Sequence, residues 1–408
     1  MLGFLNRMLS IVFAVLFSYQ FVFIIVSLFM KEKEIDYEFS YHRLAILICA
    51  RNEETVIGDL LKSISDQTYP KDQYEVFVMA DNCSDHTAKI AKENGAVVYE
   101  RFSDELQGKG YALQELLESI KDDYGDRFDA FLVFDADNIL KNDYLEQMNI
   151  SYCKGNRIIA GYINSKNYGS NWISAGYSLY LLRKNRFLNH ARYLLGISSA
   201  INGTGFLFSR EVLDDWPYHT LTEDIEFTVD QVCRHHKIAY CSKALLYDEQ
   251  PTTFRQSIYQ RLRWSKGYLQ VISKYSGRLL EGIAEGSFSC FDMLNTILSA
   301  YGLSMVSLLL NTASFLCLIL LKEDIVPFIY DLFLSLIKSY LCLFLVGSLT
   351  VVTEWKNIAT SIFNKIRYTF TFPLFLATYV PIALCAIFAK VTWVPIRHSI
   401  RLSHEKVC

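Results

Sequence analysis

The stretch Leu44-Ala45-Ile46-Leu47-Ile48-Cys49-Ala50-Arg51-Asn52-Glu53-Glu54 decides how this chain is read. Residues 44–49 are a short, continuous apolar run with no alternation, the pattern of a strand buried on both faces. The run breaks into a charged turn. Residues 53–67 then show helical spacing, with Val56, Leu60, Leu61 and Ile64 on one side. The same alternation continues downstream, with strands expected at 75–80, 96–99 and 130–134 and helices at 84–93 and 109–119. Alternating strand and helix predict a parallel α/β sheet with right-handed crossovers. Such sheets bind ligands outside the carboxyl ends of their strands. The residues at those ends are Arg51-Asn52-Glu53, Asp81-Asn82 and Asp135-Ala136-Asp137.

Outward from this core the composition changes. Residues 10–30 carry no charge and are long enough to cross a bilayer, and the bulky residues after them argue for a retained anchor over a cleaved leader. Three further spans are expected at 294–321, 325–352 and 368–394. Asp331 and Lys338 in the middle one are costly in lipid unless they face protein or water, or lie near an interface. The expected organisation is an N-terminal anchor (1–36), a globular domain (37–276) and a C-terminal membrane region (277–408). With 40 Lys and Arg against 43 Asp and Glu, the chain has no nucleic-acid footprint. Ten cysteines without a CxxC pair speak against a disulfide framework or a structural zinc site; the adjacent His235 and His236 fit a helix end better than a metal site. Reduced thiols suit a cytosol-facing domain. Lys31, Lys33, Lys356, Lys365 and Arg367 agree with that orientation, whereas Arg397, Arg401 and Lys406 fall outside in a four-span count, so one C-terminal segment reads as interfacial or re-entrant.

Residues 152–275 mix amphipathic helices with shorter strands. Segment 171–195, with Arg183, Lys184 and Arg186, and segment 255–275 both have the character of helices that lie along a membrane surface. Several polar clusters carry chemistry. Asp135 and Asp137 can share a cation only where the strand breaks into a turn, and magnesium or manganese takes a few carboxylates plus phosphate oxygens. An ordinary Asp-rich turn has the same sequence. Asp224, after Thr222-Glu223, opens a helix, where an acid is favoured by the helix dipole alone; it also suits a general base. Gln260-Arg261-Leu262-Arg263-Trp264 combines a guanidinium fork that fits phosphate with an indole face that can stack on a sugar, or, as a Trp on a basic helix, anchors at the membrane interface. Lys109 between Gly108 and Gly110 is a further phosphate contact, or a plain loop lysine.

In this order the clusters resemble the membrane-integrated family 2 glycosyltransferases, the group that includes cellulose, chitin, hyaluronan and poly-N-acetylglucosamine synthases. The matching residues are Ala50-Arg51-Asn52-Glu53-Glu54, Asp81-Asn82-Cys83-Ser84-Asp85, Gly108-Lys109-Gly110, Asp135-Ala136-Asp137, Thr222-Glu223-Asp224 and Gln260-x-x-Arg263-Trp264. The resemblance implies a GT-A fold with flanking transmembrane helices, a UDP-sugar donor, a Mg2+ or Mn2+ cofactor, and one inverting displacement at the plasma membrane with the catalytic domain cytoplasmic. By the same resemblance Asp224 is the base, with Glu223 beside it. Arg51, Asn52, Glu53, Asp81, Lys109, Asp135 and Arg263 hold the donor, and Asp135 and Asp137 hold the metal. Gln260 and Trp264 face the acceptor, together with Asn202 and Gly203 of the loop 202–206, whose sequence departs from the commoner family forms. The expected product is a β-linked polysaccharide, with single transfer to a lipid or short glycan as the alternative. Few spans make a narrow channel, so polymer export would call on an oligomer or another protein.

Overall fold

A computed structural model describes residues 2–213, 215–392 and 400. The last residues of the expected fourth span, and Arg397, Arg401 and Lys406, lie outside them. Eight strands form one sheet: β1 (Leu44–Ala50), β2 (Tyr74–Asp81), β3 (Val97–Arg101), β4 (Ala130–Asp135), β5 (Ile139–Leu140), β6 (Ile158–Ser165), β7 (Phe206–Ser209) and β8 (Ile238–Asp248). Their order is β3-β2-β1-β4-β7-β6-β8-β5.

The run that opened the sequence reading is β1, at the centre of the parallel half, paired in parallel with β2 and β4. Its unbroken apolarity has a direct cause. Ala45 and Leu47 face one core, with α4 (Lys109–Tyr124). Leu44, Ile46 and Ile48 face the other, with α2 (Ile57–Ser65) and α5 (Tyr144–Cys153). Beyond β4 the sheet is mixed: β7 runs antiparallel to β4 and β6, and β8 is parallel to β6. Helix α2 begins later than its apolar spacing suggests. Asn52 takes the left-handed conformation at φ 56, and the backbone N–H of Glu53 donates to Thr87 Oγ1 of α3 (Thr87–Glu93), so the charged turn is part of the strand-end structure.

Around the sheet lie α1 (Leu2–Phe29), α6 (Trp172–Arg183), a π-helical turn (Lys184–Asn189), α7 (His190–Leu194), α8 (Glu223–Cys233) and α9 (Phe254–Ala284). The chain continues into α10 (Phe288–Leu320), α11 (Val326–Thr353), α12 (Ile362–Ala377) and α13 (Tyr379–Phe388). Among the described residues, Val326–Thr353 and Ile362–Phe388 are long and apolar enough to cross a bilayer; Ala14–Phe29, Phe288–Leu298 and Met305–Leu320 are shorter apolar stretches. Asp331 and Lys338 are exposed on α11. The start of α10 is drawn into the fold by a polar joint: buried Asp292 accepts from Arg192 of α7 at 2.7 and 3.2 Å and from Tyr19 of α1 at 2.8 Å.

The two amphipathic segments do not lie free on a surface. Most of α6 is buried, and a Cβ at Gly176 would stand 2.3 Å from the Phe375 ring of α12, so only glycine admits that close crossing. Arg261, on the inner face of α9, is fully buried. Its guanidinium lies 4.8 Å from the ring centroids of Phe375 and Tyr379 and donates to Thr378 Oγ1 at 2.6 Å. The apparent basic stripe is therefore a packing interface with α12 and α13.

Candidate active site

The strand ends, the start of α8 and one face of α9 enclose a single cleft. Arg51, Glu53, Asp81, Lys109, Asp135, Asp137, Asn202, Gly203, Glu223, Asp224, Gln260, Arg263 and Trp264 all line it. Asn52 does not; its side-chain oxygen accepts from the Ser84 backbone N–H at 2.8 Å and ties the turn after β1 to the loop before α3. The cleft also holds residues with no motif to announce them, among them Tyr180, Lys184, Asp248 and Gln250. By sequence Lys184 belongs to the basic cluster of segment 171–195, expected on a membrane surface. The amphipathic pattern could not reveal that the π-helical turn directs it inward.

Each carboxylate has a distinct setting. Asp81 is buried at the end of β2 and bound by Arg101 at 2.6 Å. Burial raises its pKa, against the opposing pull of Arg101. Asp135 ends β4, where the chain turns back through an Asn138 N–H to Asp135 carbonyl bond of 3.1 Å. This is the strand break that lets Asp135 and Asp137 line one cleft. Lys109 donates to Asp135 Oδ1 and, at 2.8 Å, to the Gly203 carbonyl. Burial alone would lower the Lys109 pKa, but the Asp135 and Glu223 charges carry it above its ordinary value. Gly108, at φ 127, provides the left-handed turn that starts α4 at this lysine. Asp137 Oδ2 accepts the Glu249 N–H at 2.9 Å.

The start of α8 is held from behind. Buried Glu226 accepts from the His219 and Thr220 N–H groups at 3.1 and 2.9 Å and from Lys274 of α9. Asp230 accepts from Tyr218 at 2.9 Å and Arg278 of α9 at 2.7 Å. Arg263 donates to the Leu221 carbonyl at 2.9 Å, and a Cβ at Gly267 would meet Thr222 Oγ1 at 2.4 Å. The turn carrying Glu223 and Asp224 is thus clamped to α9, which holds both carboxyls rigidly in the cleft. Asn202 Oδ1, Thr222 Oγ1 and Gln260 Oε1 are buried around this point without a hydrogen-bond partner. These polar atoms are free to hydrogen-bond a substrate or water in the cleft.

Burial, and then the neighbouring Asp224 charge, push the Glu223 carboxyl from 4.5 up to about 7. Burial also raises Asp224, opposed by the Ile225 N–H and by Lys184, Lys109 and Arg263. A folded pKa above the unfolded one gives stability that is complete below 4.5 and is lost as pH rises through about 7. Glu223→Gln is therefore expected to melt above wild type near pH 8 and together with it near pH 4, as followed by thermal unfolding. A lower melting temperature than wild type at the higher pH would show that the neighbouring cations outweigh burial.

Comparison with known proteins agrees with this geometry. Residues 42–267 match the model of "Glycosyltransferase like family 2", an interval that contains every cleft residue named above. The chain is 29% identical over 278 residues to a beta-monoglucosyldiacylglycerol synthase of Trichormus variabilis, covering 63% of this chain and 55% of that one. It is 27% identical over 242 residues to a poly-beta-1,6-N-acetyl-D-glucosamine synthase of Staphylococcus epidermidis, covering 56% and 55%. The chain spans about half the length of these curated relatives. A mannosyltransferase of Pyrobaculum calidifontis, solved with GDP-Man and Mn2+, superposes with a TM-score of 0.61 at 14% identity over 94% of this chain and 99% of that one. That likeness shows the GT-A fold. With more than half of its length matched by the family model, this chain belongs to glycosyltransferase family 2 and is an enzyme of that family.

Proposed function

We propose that the protein moves a single sugar from a UDP-sugar to a lipid acceptor at a membrane, with inversion at the anomeric carbon. The observation that carries this reading is the double role of α9. One face presents Gln260, Arg263 and Trp264 to the cleft, and the other packs through Arg261 onto the apolar helices α12 and α13. Trp264 belongs to both settings: it lines the cleft and meets Tyr177 edge-on at 5.8 Å, within the same apolar cluster as Phe375. The acceptor side of the cleft is therefore continuous with the segments able to cross a bilayer. An acceptor with a hydroxyl head and an apolar tail suits that arrangement. The relative from Trichormus variabilis, named for a glucosylated diacylglycerol, supports the same reading.

In the reaction an acceptor hydroxyl oxygen bonds to the anomeric carbon while the bond from that carbon to the diphosphate breaks. The leaving diphosphate takes the electron pair, and the hydroxyl proton passes to Asp224. Glu223, raised toward neutrality, stands ready to share that proton. Asp81 with Arg51 holds the nucleoside end, and Arg263 with Lys109 faces the diphosphate. A magnesium or manganese ion fits the donors present, since Asp135 and Asp137 bring hard carboxylate oxygens to one cleft and such ions complete their shell with phosphate and water. Bound there, the ion would offset the charge on the departing diphosphate. On this reading the protein works at the cell membrane with its catalytic domain on the cytosolic side, where nucleotide sugars are made.

The motif Gln260-x-x-Arg263-Trp264 and the relative from Staphylococcus epidermidis favour a second reading, extension of a β-linked polymer. The test separates the two. Membranes bearing the full chain are given labelled UDP-glucose or UDP-N-acetylglucosamine with a divalent cation and diacylglycerol. Label extracted into organic solvent as one discrete product supports lipid transfer. Label retained as high-mass aqueous material overturns it in favour of the polymer.

A further inference from the structure

Lys184 is the least explained charge in the cleft. Only 7% of its surface is exposed, and it comes from the helical side with Tyr180, where the strand-end motifs do not reach. It opens the π-helical turn between α6 and α7, and such turns are frequent at functional sites because they redirect side chains. Its ammonium stands 5.4 Å over the Tyr180 ring. Lys109 is neutralised by Asp135, but no such ion pair forms at Lys184 among the described residues. The face of an aromatic ring replaces only part of the hydration that an ammonium loses on burial, and the charge Lys184 does face in the cleft is the Asp224 carboxylate. An anionic acceptor group beside Tyr180 would add the ion pair that Lys184 lacks. Because Lys184 and Asp224 line the same cleft, such an anion would sit close to the attacking oxygen.

We propose that Lys184 and Tyr180 form an acceptor subsite for an anionic oxygen group, phosphate or carboxylate, carried beside the hydroxyl that accepts the sugar. Asn202 and Gln260 line the same cleft with buried side-chain oxygens that can accept hydrogen bonds from the acceptor's other hydroxyls. The subsite rests on the glycosyltransferase reading above and narrows its acceptor. It selects head groups in which a free hydroxyl lies within a few bonds of the negative charge, and it disfavours neutral ones.

The experiment reconstitutes the full chain in phosphatidylcholine vesicles containing equal amounts of diacylglycerol and phosphatidylglycerol, with soluble glycerol 3-phosphate in a parallel arm. Labelled UDP-glucose and UDP-N-acetylglucosamine supply the sugar, and products are separated by chromatography. Wild type is expected to label phosphatidylglycerol over diacylglycerol by tenfold or more. Lys184→Met should collapse that ratio toward one, and Lys184→Arg should keep it. Because the readout is a ratio within one sample, a partial loss of folded enzyme leaves it unchanged. A wild-type ratio at or below one, or a ratio unaltered in K184M, overturns the subsite while lipid transfer stands. Label in glycerol 3-phosphate alone upholds the subsite and overturns the lipid acceptor. Label in none of the three overturns both.

Discussion

Asp224→Asn is expected to lower the turnover number about 10²–10⁴-fold, the usual worth of a positioned general base. Donor affinity should stay close to wild type, because the base acts on the acceptor proton and the donor contacts come from other elements. The expectation follows from the mounting of α8. Its first two turns are fixed by Glu226 and Asp230 to α9, so removing one charge at Asp224 leaves the backbone where it is. The amide is nearly isosteric and cannot accept the proton in the carboxylate's place. Single-turnover transfer measured beside UDP-sugar binding by calorimetry separates the two effects. A variant that binds donor tenfold more weakly, or that keeps its turnover, would remove Asp224 from the role of base. Glu223, raised to about 7, is then the carboxyl to test next.

The largest expected loss of stability is far from the chemistry. Arg192 and Asp292 are both 0% exposed and meet at 2.7 Å where α7 and α10 cross. Arg192 also donates to Thr296 at 3.0 Å, and Tyr19 of α1 donates to the same carboxylate. Asp292→Ala leaves a guanidinium buried without its counter-charge, which costs about 3–5 kcal/mol. The double variant Arg192→Met with Asp292→Leu should recover most of that loss, because two apolar groups of similar size remove both charges together. Denaturant unfolding in detergent reads both values. If the double variant is no better than the single one, the joint depends on the hydrogen bonds to Tyr19 and Thr296 more than on charge pairing.

Much of the catalytic half was legible from local patterns. The two-sided burial of β1 is written in its unbroken apolar run, and the polar residues that follow β1, β2 and β4 sit at strand ends because the chain must turn there. Boundaries moved where side chains far apart in sequence meet, as at Asn52, which left the cleft to brace Ser84. The sheet beyond β4 reverses direction, and no run of residues announces this: β7 has only four residues, and its orientation is set by pairing with β4 and β6.

By itself the sequence determined the family and the ordered set of acids and cations, because those depend on residue type and on short spacings along strand ends and helix starts. Only the tertiary structure decided what the helical segments do. Amphipathic periodicity is the same whether the buried face meets lipid or protein, so segments 171–195 and 255–275 read as surface helices until α12 and α13 were seen packed against them. The same ambiguity hid Lys184. A lysine's neighbours in sequence cannot show whether its long stem points to water or into a cleft, and here one π-helical turn decides it.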